Sequence, residues 1–259
     1  MKIVTWNIAG GFTMKGSIES GYNYDEENLN YFINRLKSVG ADCISLQESH
    51  TPTNESKTKS QGEIIAKKLK YSFYNRPYDK SHIKDENLLS LVNLSKFNIT
   101  KSKYVLLPNP KLEVVRPNGD KWHTHDKGFL ISEIDYKGEK INFVNGHIFP
   151  FHHFNRNFME DEFLNIREFI SDLLKSLSNK PTIVAVDMNF NDLSVLLPEL
   201  FKNNLYKESF LNIETAPGHG QQDHIMYSKH WNKEDFKVTK TKSDHYICST
   251  DISLKQNKF

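Results

Sequence analysis

Several apolar runs, spread from one end of this chain to the other, stop abruptly at an amide, a carboxylate or an imidazole. Val4-Thr5-Trp6 ends at Asn7, Ile44-Ser45-Leu46 at Gln47-Glu48, and Phe143-Val144-Asn145-Gly146 at His147. Ile183-Val184-Ala185-Val186 ends at Asp187-Met188-Asn189. Runs this short and this rich in β-branched residues read as buried strands. Strand ends on one rim of a sheet hold functional side chains together on a rigid frame. Asp187 and Asn189 are two apart and point the same way if the chain stays extended. Near the C-terminus, Gln222-Asp223-His224-Ile225 and Ser243-Asp244-His245 add two further acid-imidazole pairs.

Helical patterns alternate with these runs, which places the chain in the α/β class. Leu29, Phe32, Ile33 and Leu36 fall at helical spacing, with Asp25 as the expected N-cap and Gly40 as the stop. Ile64, Ile65 and Leu69 suggest a second helix, and the clearest one is expected from about Phe158 to Leu177. The segment from Asp192 to Phe201 reads as a weaker helix containing Pro198. Further strands are expected at Tyr71–Tyr74, Leu88–Leu94, Tyr104–Leu107, Phe129–Ile134, Ile225–Tyr227 and Tyr246–Ser253. Asp135-Tyr136-Lys137-Gly138 is the turn of a hairpin, and Ser49–Gln61 is expected as a polar surface loop. No linker or repeat interrupts the 259 residues, so one domain spanning 1–259 is expected, with two sheets packed on one core.

Composition narrows the partners. With 34 basic and 32 acidic side chains the net charge is only +2, which argues against holding nucleic acid by bulk electrostatics but not against cutting it. The chain as given has no apolar run of bilayer length and no apolar leader, so no membrane anchor and a cytoplasmic location are expected, with the protein a monomer. Cys43 and Cys248 sit in strand-like settings, where buried reduced thiols are expected.

An oxygen-rich set of ligands suits Mg²⁺ or Mn²⁺, and a hard divalent ion beside imidazoles and carboxylates fits phosphate-ester hydrolysis. His123, His125, His152 and His153 have no cysteine beside them and read as a cavity rim or loop surface rather than a zinc site. His50 and His82 read as rim contacts or solvated loop. Phe149, Phe151 and Phe154 crowd the loop after His147, either folded in or offering stacking faces. Arg156 lies near the same loop and is expected to contact phosphate.

The ordered set TWN, LQE, GHIFP, DMN, DHI and SDH resembles the endonuclease/exonuclease/phosphatase superfamily over nearly the whole chain, from Trp6 to His245. Asn87–Ile99 and Lys127-Gly128-Phe129 are similar to two further segments of that group. The resemblance implies a four-layer α/β/β/α sandwich of two packed mixed sheets flanked by helices. It implies Glu48 as the principal Mg²⁺ or Mn²⁺ ligand, with Asn7 beside it contacting phosphate or metal and Asp244 in the metal set. Asp187 would orient or deprotonate the attacking water, and Asn189 would hold a phosphate oxygen. Asp244 would also orient His245, which would bind phosphate. His147 would stand near the leaving group with Glu86 as its acid partner, and Asp223 would be a further metal- or phosphate-site residue.

Three departures stand out: Val186 replaces a glycine, His224 a tyrosine, and Ala9 an arginine that grips DNA in deoxyribonucleases. The function implied is a divalent-metal-dependent phosphoesterase, a nuclease or phosphodiesterase acting by in-line attack of an activated water on nucleic acid or a small phosphoester. The alternative is a phosphatase for a small phosphorylated metabolite or phospholipid headgroup. A non-catalytic binding module is disfavoured, because the metal carboxylate and the terminal Asp-His are both present.

Overall fold

The computed structural model describes residues 1–15, 24–54, 58–115 and 119–255. The first part of the chain forms β1 (Lys2–Asn7), β2 (Phe12–Met14), β3 (Tyr24–Glu27), α1 (Leu29–Val39), β4 (Cys43–Pro52) and α2 (Gln61–Leu69). Then come β5 (Ser72–Lys80), β6 (Asn87–Ser95), β7 (Ile99–Leu106), β8 (Glu113–Val115), β9 (Lys121–His123), β10 (Gly128–Tyr136) and β11 (Glu139–His147). The last part holds α3 (Leu164–Leu177), β12 (Thr182–Asp187), α4 (Leu193–Leu196), α5 (Pro198–Lys202) and β13 (Tyr206–Glu208). It closes with β14 (Asp223–Ser228), β15 (Trp231–Thr239) and β16 (Ile247–Leu254).

Two six-stranded mixed sheets dominate, in the orders β15-β16-β1-β4-β6-β5 and β13-β14-β12-β11-β10-β7. Their inner faces share a core that includes Ile3, Cys43, Phe143, Ile183, Ile225 and Cys248. Helices α1 and α2 cover the outer face of the first sheet, where Phe32, Leu36 and Ile65 meet Trp6, Ile44 and Leu46. Helix α3 covers the second through Ile166, Ile170 and Leu174 against Val144, Val184 and Met226. The result is a four-layer α/β/β/α sandwich. Both cysteines are buried and free, and burial pushes the Cys43 thiol up to about 12. No helix among the described residues is long and apolar enough to cross a membrane.

A buried polar seam joins the two sheets beneath the cavity described below. Gln47 Nε2 donates to Asn145 Oδ1 (2.8 Å), and Asn145 Nδ2 donates to the carbonyls of Leu46 and Val92 (3.0 and 3.1 Å). Deeper in, Asn93 Nδ2 donates to Ser132 Oγ at 2.9 Å. Because an unpaired amide in such a place would lose a full hydrogen bond's worth of solvation, the seam fixes how the sheets sit on each other.

Several local expectations change. The cap of α1 is Asn28, whose side chain accepts from the Tyr31 N–H, while Asp25 lies in β3. The left-handed Gly40 (φ 65°) stops the helix as expected. Strand β4 does not end at Glu48 but runs on to Pro52, and of the expected loop residues 55–57 lie outside the described residues. Helix α3 starts only at Leu164, because the buried Arg167 guanidinium takes the carbonyls of Phe158 and Glu160 and holds that stretch as turns. Strands β2, β3, β8, β9, β13 and β15 have no counterpart in the sequence reading.

Candidate active site

Three neighbouring strands of the second sheet end side by side. β11 and β12 are parallel with His147 opposite Asp187, and β14 runs antiparallel to β12 with Asp223 opposite Asp187. In the first sheet β1 and β4 are parallel with Asn7 opposite Gln47. The strand ends of the two sheets therefore meet at one edge of the sandwich, around a cavity of about 730 Å³. Its lining includes Asn7, Glu48, Lys127, His147, Asp187, Asn189, Asp244 and His245.

Asp187 is the hub. Its Oδ2 accepts from Asn7 Nδ2 (3.1 Å) and lies 3.5 Å from His147 Nε2 and 3.8 Å from His245 Nε2. Its Oδ1 accepts from the backbone N–H of Asn189 (3.0 Å), which bends the chain so that Asn189 takes a left-handed φ of 49°. Burial and the charge of Asp223 raise the Asp187 pKa, against the pull of His245 and the Asn7 hydrogen bond. His245 Nδ1 is 2.7 Å from Asp223 Oδ2, and the His245 carbonyl accepts from Trp6 Nε1 at 3.1 Å. Burial disfavours charge on His245, but Asp223 and Asp187 outweigh it and hold the imidazolium well above its ordinary pKa.

The opposite wall behaves otherwise. Lys127, buried at the start of β10, places Nζ 2.9 Å from both ring nitrogens of His147, and the Tyr78 hydroxyl lies 3.2 Å from His147 Nδ1. Burial and the Lys127 charge push the His147 pKa well down, so its imidazole is neutral. Burial lowers Lys127 itself to about 8, although Glu48 and Asp187 oppose the shift. Glu48 Oε1 is 3.7 Å from His147 Nε2. Asp244, caught between burial and the charges of Glu48 and Asp187, rises to about 6 despite the nearby His245.

The sequence profile of the Endonuclease/Exonuclease/phosphatase family matches residues 4–245. The chain belongs to that family. Members of the family are hydrolases acting on phosphoesters, in nucleic acid or in small molecules, and in general use divalent metals. Among curated proteins, none matches the chain in sequence. Solved structures share the fold. An endonuclease/exonuclease/phosphatase from Beutenbergia cavernae is 14% identical with a TM-score of 0.72, the match covering 98% of this chain and 71% of that one. A mannosyl-6-phosphatase from Bacteroides thetaiotaomicron is 14% identical (TM-score 0.65; 98% and 100% covered). The human Nocturnin catalytic domain with bound sulfate is also 14% identical (TM-score 0.66; 98% and 93% covered).

Against the family pattern, the structure brings Asn7, Glu48, His147, Asp187, Asn189, Asp244 and His245 to one cavity, with Asp223 directly behind His245. Three expectations are corrected. Asp223, not Asp244, pairs with His245: Asp244 and His245 stand in the bend before β16, where the Asp244 carboxylate turns to Ser243, whereas β14 brings Asp223 onto His245 Nδ1. Asp244 instead accepts from the Ser243 hydroxyl at 3.0 Å. Glu86 stands in the exposed turn before β6, 3.5 Å from Lys84, and the groups on His147 are Tyr78 and Lys127. Arg156 does not line this cavity: it pairs with Glu160 and Glu162 and borders the neighbouring one, which shares Asn189 with it.

Sequence reasoning missed Tyr78 and Lys127. Lys127 had a signal, the Lys127-Gly128-Phe129 strand opening, where a Cβ on Gly128 would stand 2.3 Å from the Val105 carbonyl oxygen. Tyr78 had none. Phe149 and Phe151 fold into the core, and Phe154, also buried, lines the cavity.

Proposed function

We propose that this protein is a Mg²⁺- or Mn²⁺-dependent phosphoesterase that hydrolyses phosphodiesters, with Asp187 as the group that orients and deprotonates the attacking water. The observation that carries this reading is the Asp187 carboxylate itself, buried, raised in pKa and within 3.8 Å of Asn7, His147 and His245. A carboxylate held away from water is the stronger base.

The donor set fits a hard divalent cation. Glu48, Asp187 and Asp244 crowd one cavity against Lys127 and His245, and behind His245 stands Asp223, its Oδ1 buried without a hydrogen bond. Asp187, Asp223 and His245 offer ligand atoms within 4.8 Å of one another. A protonated imidazole has no lone pair to give, however, so that triplet reads better as a charged hydrogen-bonded pair facing Asp187. Glu48 and Asp244, with the Asn7 amide, are the groups that would hold the ion. Once bound, it would offset charge on the phosphate oxygens as a Lewis acid.

The chain's own residues divide the remaining work. His245, kept cationic by Asp223, and the Asn189 amide would face the phosphate oxygens and stabilise charge as it develops. His147, held neutral, and Lys127 would stand by the leaving oxygen, where Lys127 supplies positive charge and a proton at its lowered pKa. A diester brings one negative charge to this acid-rich cavity and a monoester brings two, which favours the diester.

A second reading, a phosphatase for a small phosphorylated molecule, has one observation behind it: no arginine lines the cavity among the described residues. Hydrolysis of supercoiled DNA, single-stranded DNA, RNA, bis(4-nitrophenyl) phosphate and 4-nitrophenyl phosphate, with and without Mg²⁺ or Mn²⁺, separates the readings. The diesters are expected to be cut with metal only, and Asp187→Ala to be slower by about 10²–10⁴-fold. Cleavage confined to the monoester would move the assignment to the phosphatase, and equal cleavage by the variant would overturn the role of Asp187.

A further inference from the structure

The cavity is far larger than one phosphate group needs, and its volume of about 730 Å³ lies within the range of about 300–1,000 Å³ usual for small-molecule sites. Beyond the polar cluster its lining changes character. Val114, Val115, Trp122, Pro150 and Phe154 occupy this side, together with His82, His123, His125 and His153. Trp122, half-buried on the β8–β9 hairpin opposite Val114, has Phe154 stacked against it at 5.4 Å and 23° between planes. His153 and His82 flank it at 5.2 and 6.2 Å.

We propose that this aromatic wall is a shelf for a nucleobase carried by the substrate, with Trp122 as the stacking residue. The inference rests on the phosphoesterase reading and specifies its substrate class. The shelf and the Asp187 cluster line one cavity, so a group bound on Trp122 belongs to the same molecule as the phosphate. Base–aromatic stacking tolerates any base, since every base has a π-face.

Charge argues against a second phosphate there. Two imidazoles here have carboxylate partners: His125 Nδ1 lies 3.3 Å from Asp79 Oδ2, and His123 Nδ1 lies 3.3 Å from Glu113 Oε2. Those two carboxylates would oppose an anion bound on this side. The wall is also built to stay in place. Asp79 Oδ2 accepts from the Asp126 N–H at 2.7 Å, and these hydrogen bonds take Asp79 down to about 2 although burial opposes them. At the hairpin base the Thr124 N–H donates to the Leu112 carbonyl, and Asn109 Nδ2 donates to the Thr124 carbonyl. A rigid aromatic face loses little entropy when a ring settles on it.

Two phosphodiester pairs matched at the phosphate test the shelf: thymidine 5′-(4-nitrophenyl phosphate) against methyl 4-nitrophenyl phosphate, and a short single-stranded oligonucleotide against one with an abasic unit at the scissile step. Wild type is expected to favour the base-bearing member by about 10- to 100-fold in kcat/KM. Trp122→Ala and Trp122→Leu should bring that ratio close to one, and Trp122→Phe should retain most of it. The leucine variant keeps an apolar contact without a π-face, so a preference that survives in it means an apolar pocket and overturns stacking.

Fluorescence gives a readout independent of turnover. Trp6 and Trp231 are buried, so quenching by added adenosine reports on Trp122 and should vanish in Trp122→Phe. No base preference in wild type, or one unaltered in Trp122→Ala, overturns the shelf. If wild type hydrolyses neither member of either pair, the phosphoesterase reading fails, and adenosine quenching alone decides the shelf: its presence supports the shelf and its absence overturns it.

Discussion

The second sheet delivers His147, Asp187 and Asp223 from strand ends that stay in register, whereas the first delivers only Asn7 in that way among the groups described and adds Glu48 and Tyr78 from places where the register slips. Between β11, β12 and β14 each residue meets one partner up to the cavity. Between β4 and β6 the register shifts between Leu46 and Ser49, and Glu48 sits there with φ 52°. Between β5 and β6 it shifts again between Pro77 and Asp79, with Tyr78 in the gap. A bulge re-aims a side chain that regular alternation would send elsewhere. The difference teaches that one sheet supplies a rigid row of donors, while the other adds to Asn7 side chains re-aimed by bulges, at Glu48 with a left-handed backbone.

Glycine and alanine at the same position test that contrast, and the largest effect is at Glu48. Glu48→Gly and Glu48→Ala both lose the carboxylate, and each should lower metal-dependent hydrolysis by about a hundredfold or more. Their stabilities should differ. At φ 52° a Cβ costs about 1–2 kcal/mol, so the glycine variant should be the more stable of the two in urea unfolding. At His147, at the end of a regular strand, the order should reverse, with His147→Ala more stable than His147→Gly by about 0.5–1 kcal/mol. The same order at both positions would remove strain from the description of the first sheet.

That contrast also marks what could be read from the sequence. Regular strand ends announce themselves as apolar runs that stop at a polar residue, so Asn7, His147 and Asp187 are legible in the sequence, and Asp244-His245 is legible through its family motif. The two sheets and their covering helices were legible for the same reason, since α1 and α3 carry apolar stripes that must be buried. Glu48 carries the same mark although it sits in a bulge, whereas the bulge at Tyr78 carries none. The family resemblance places Glu86 opposite His147, but the bulged strand β5 supplies Tyr78 instead, with no motif or alternating pattern to mark it. Strand β15 was missed because its exposed edge is rich in charge, with Lys233, Glu234, Asp235 and Lys237 reading as loop. The pairing of His245 with Asp223 depends on which strands neighbour each other, which local spacing does not encode.

Lys127 comes from the second sheet and Tyr78 from the first, and both converge on His147, so removing each compares the two routes at one imidazole. Lys127→Met should slow hydrolysis by about 10- to 100-fold, the worth of a hydrogen bond from a charged donor. It should also stabilise the fold at neutral pH. Burial lowers the Lys127 pKa from 10.5 to about 8, so the folded state binds fewer protons than the unfolded state between those values. Wild-type stability should then rise with pH across that window, and the advantage of Lys127→Met, fully present below about pH 8, should shrink by about 3 kcal/mol toward pH 10.5. Urea unfolding of both proteins at pH 7, 8.5 and 10 measures this. An advantage that is flat or grows with pH would show that Lys127 is not penalised by burial.

The smallest effect belongs to Tyr78→Phe, which keeps the ring and removes only the hydroxyl 3.2 Å from His147 Nδ1. A neutral hydrogen bond is worth about 0.5–1.5 kcal/mol, so kcat should fall by about two- to tenfold. If the hydroxyl positions His147 for the leaving oxygen, the loss should be larger for a poor alkyl leaving group than for 4-nitrophenolate, which departs without help from an acid. KM should hardly change. If the loss is the same for both leaving groups, or falls on KM alone, the bulge at Tyr78 serves packing, and the first sheet contributes to this side of the cavity through Glu48 without Tyr78.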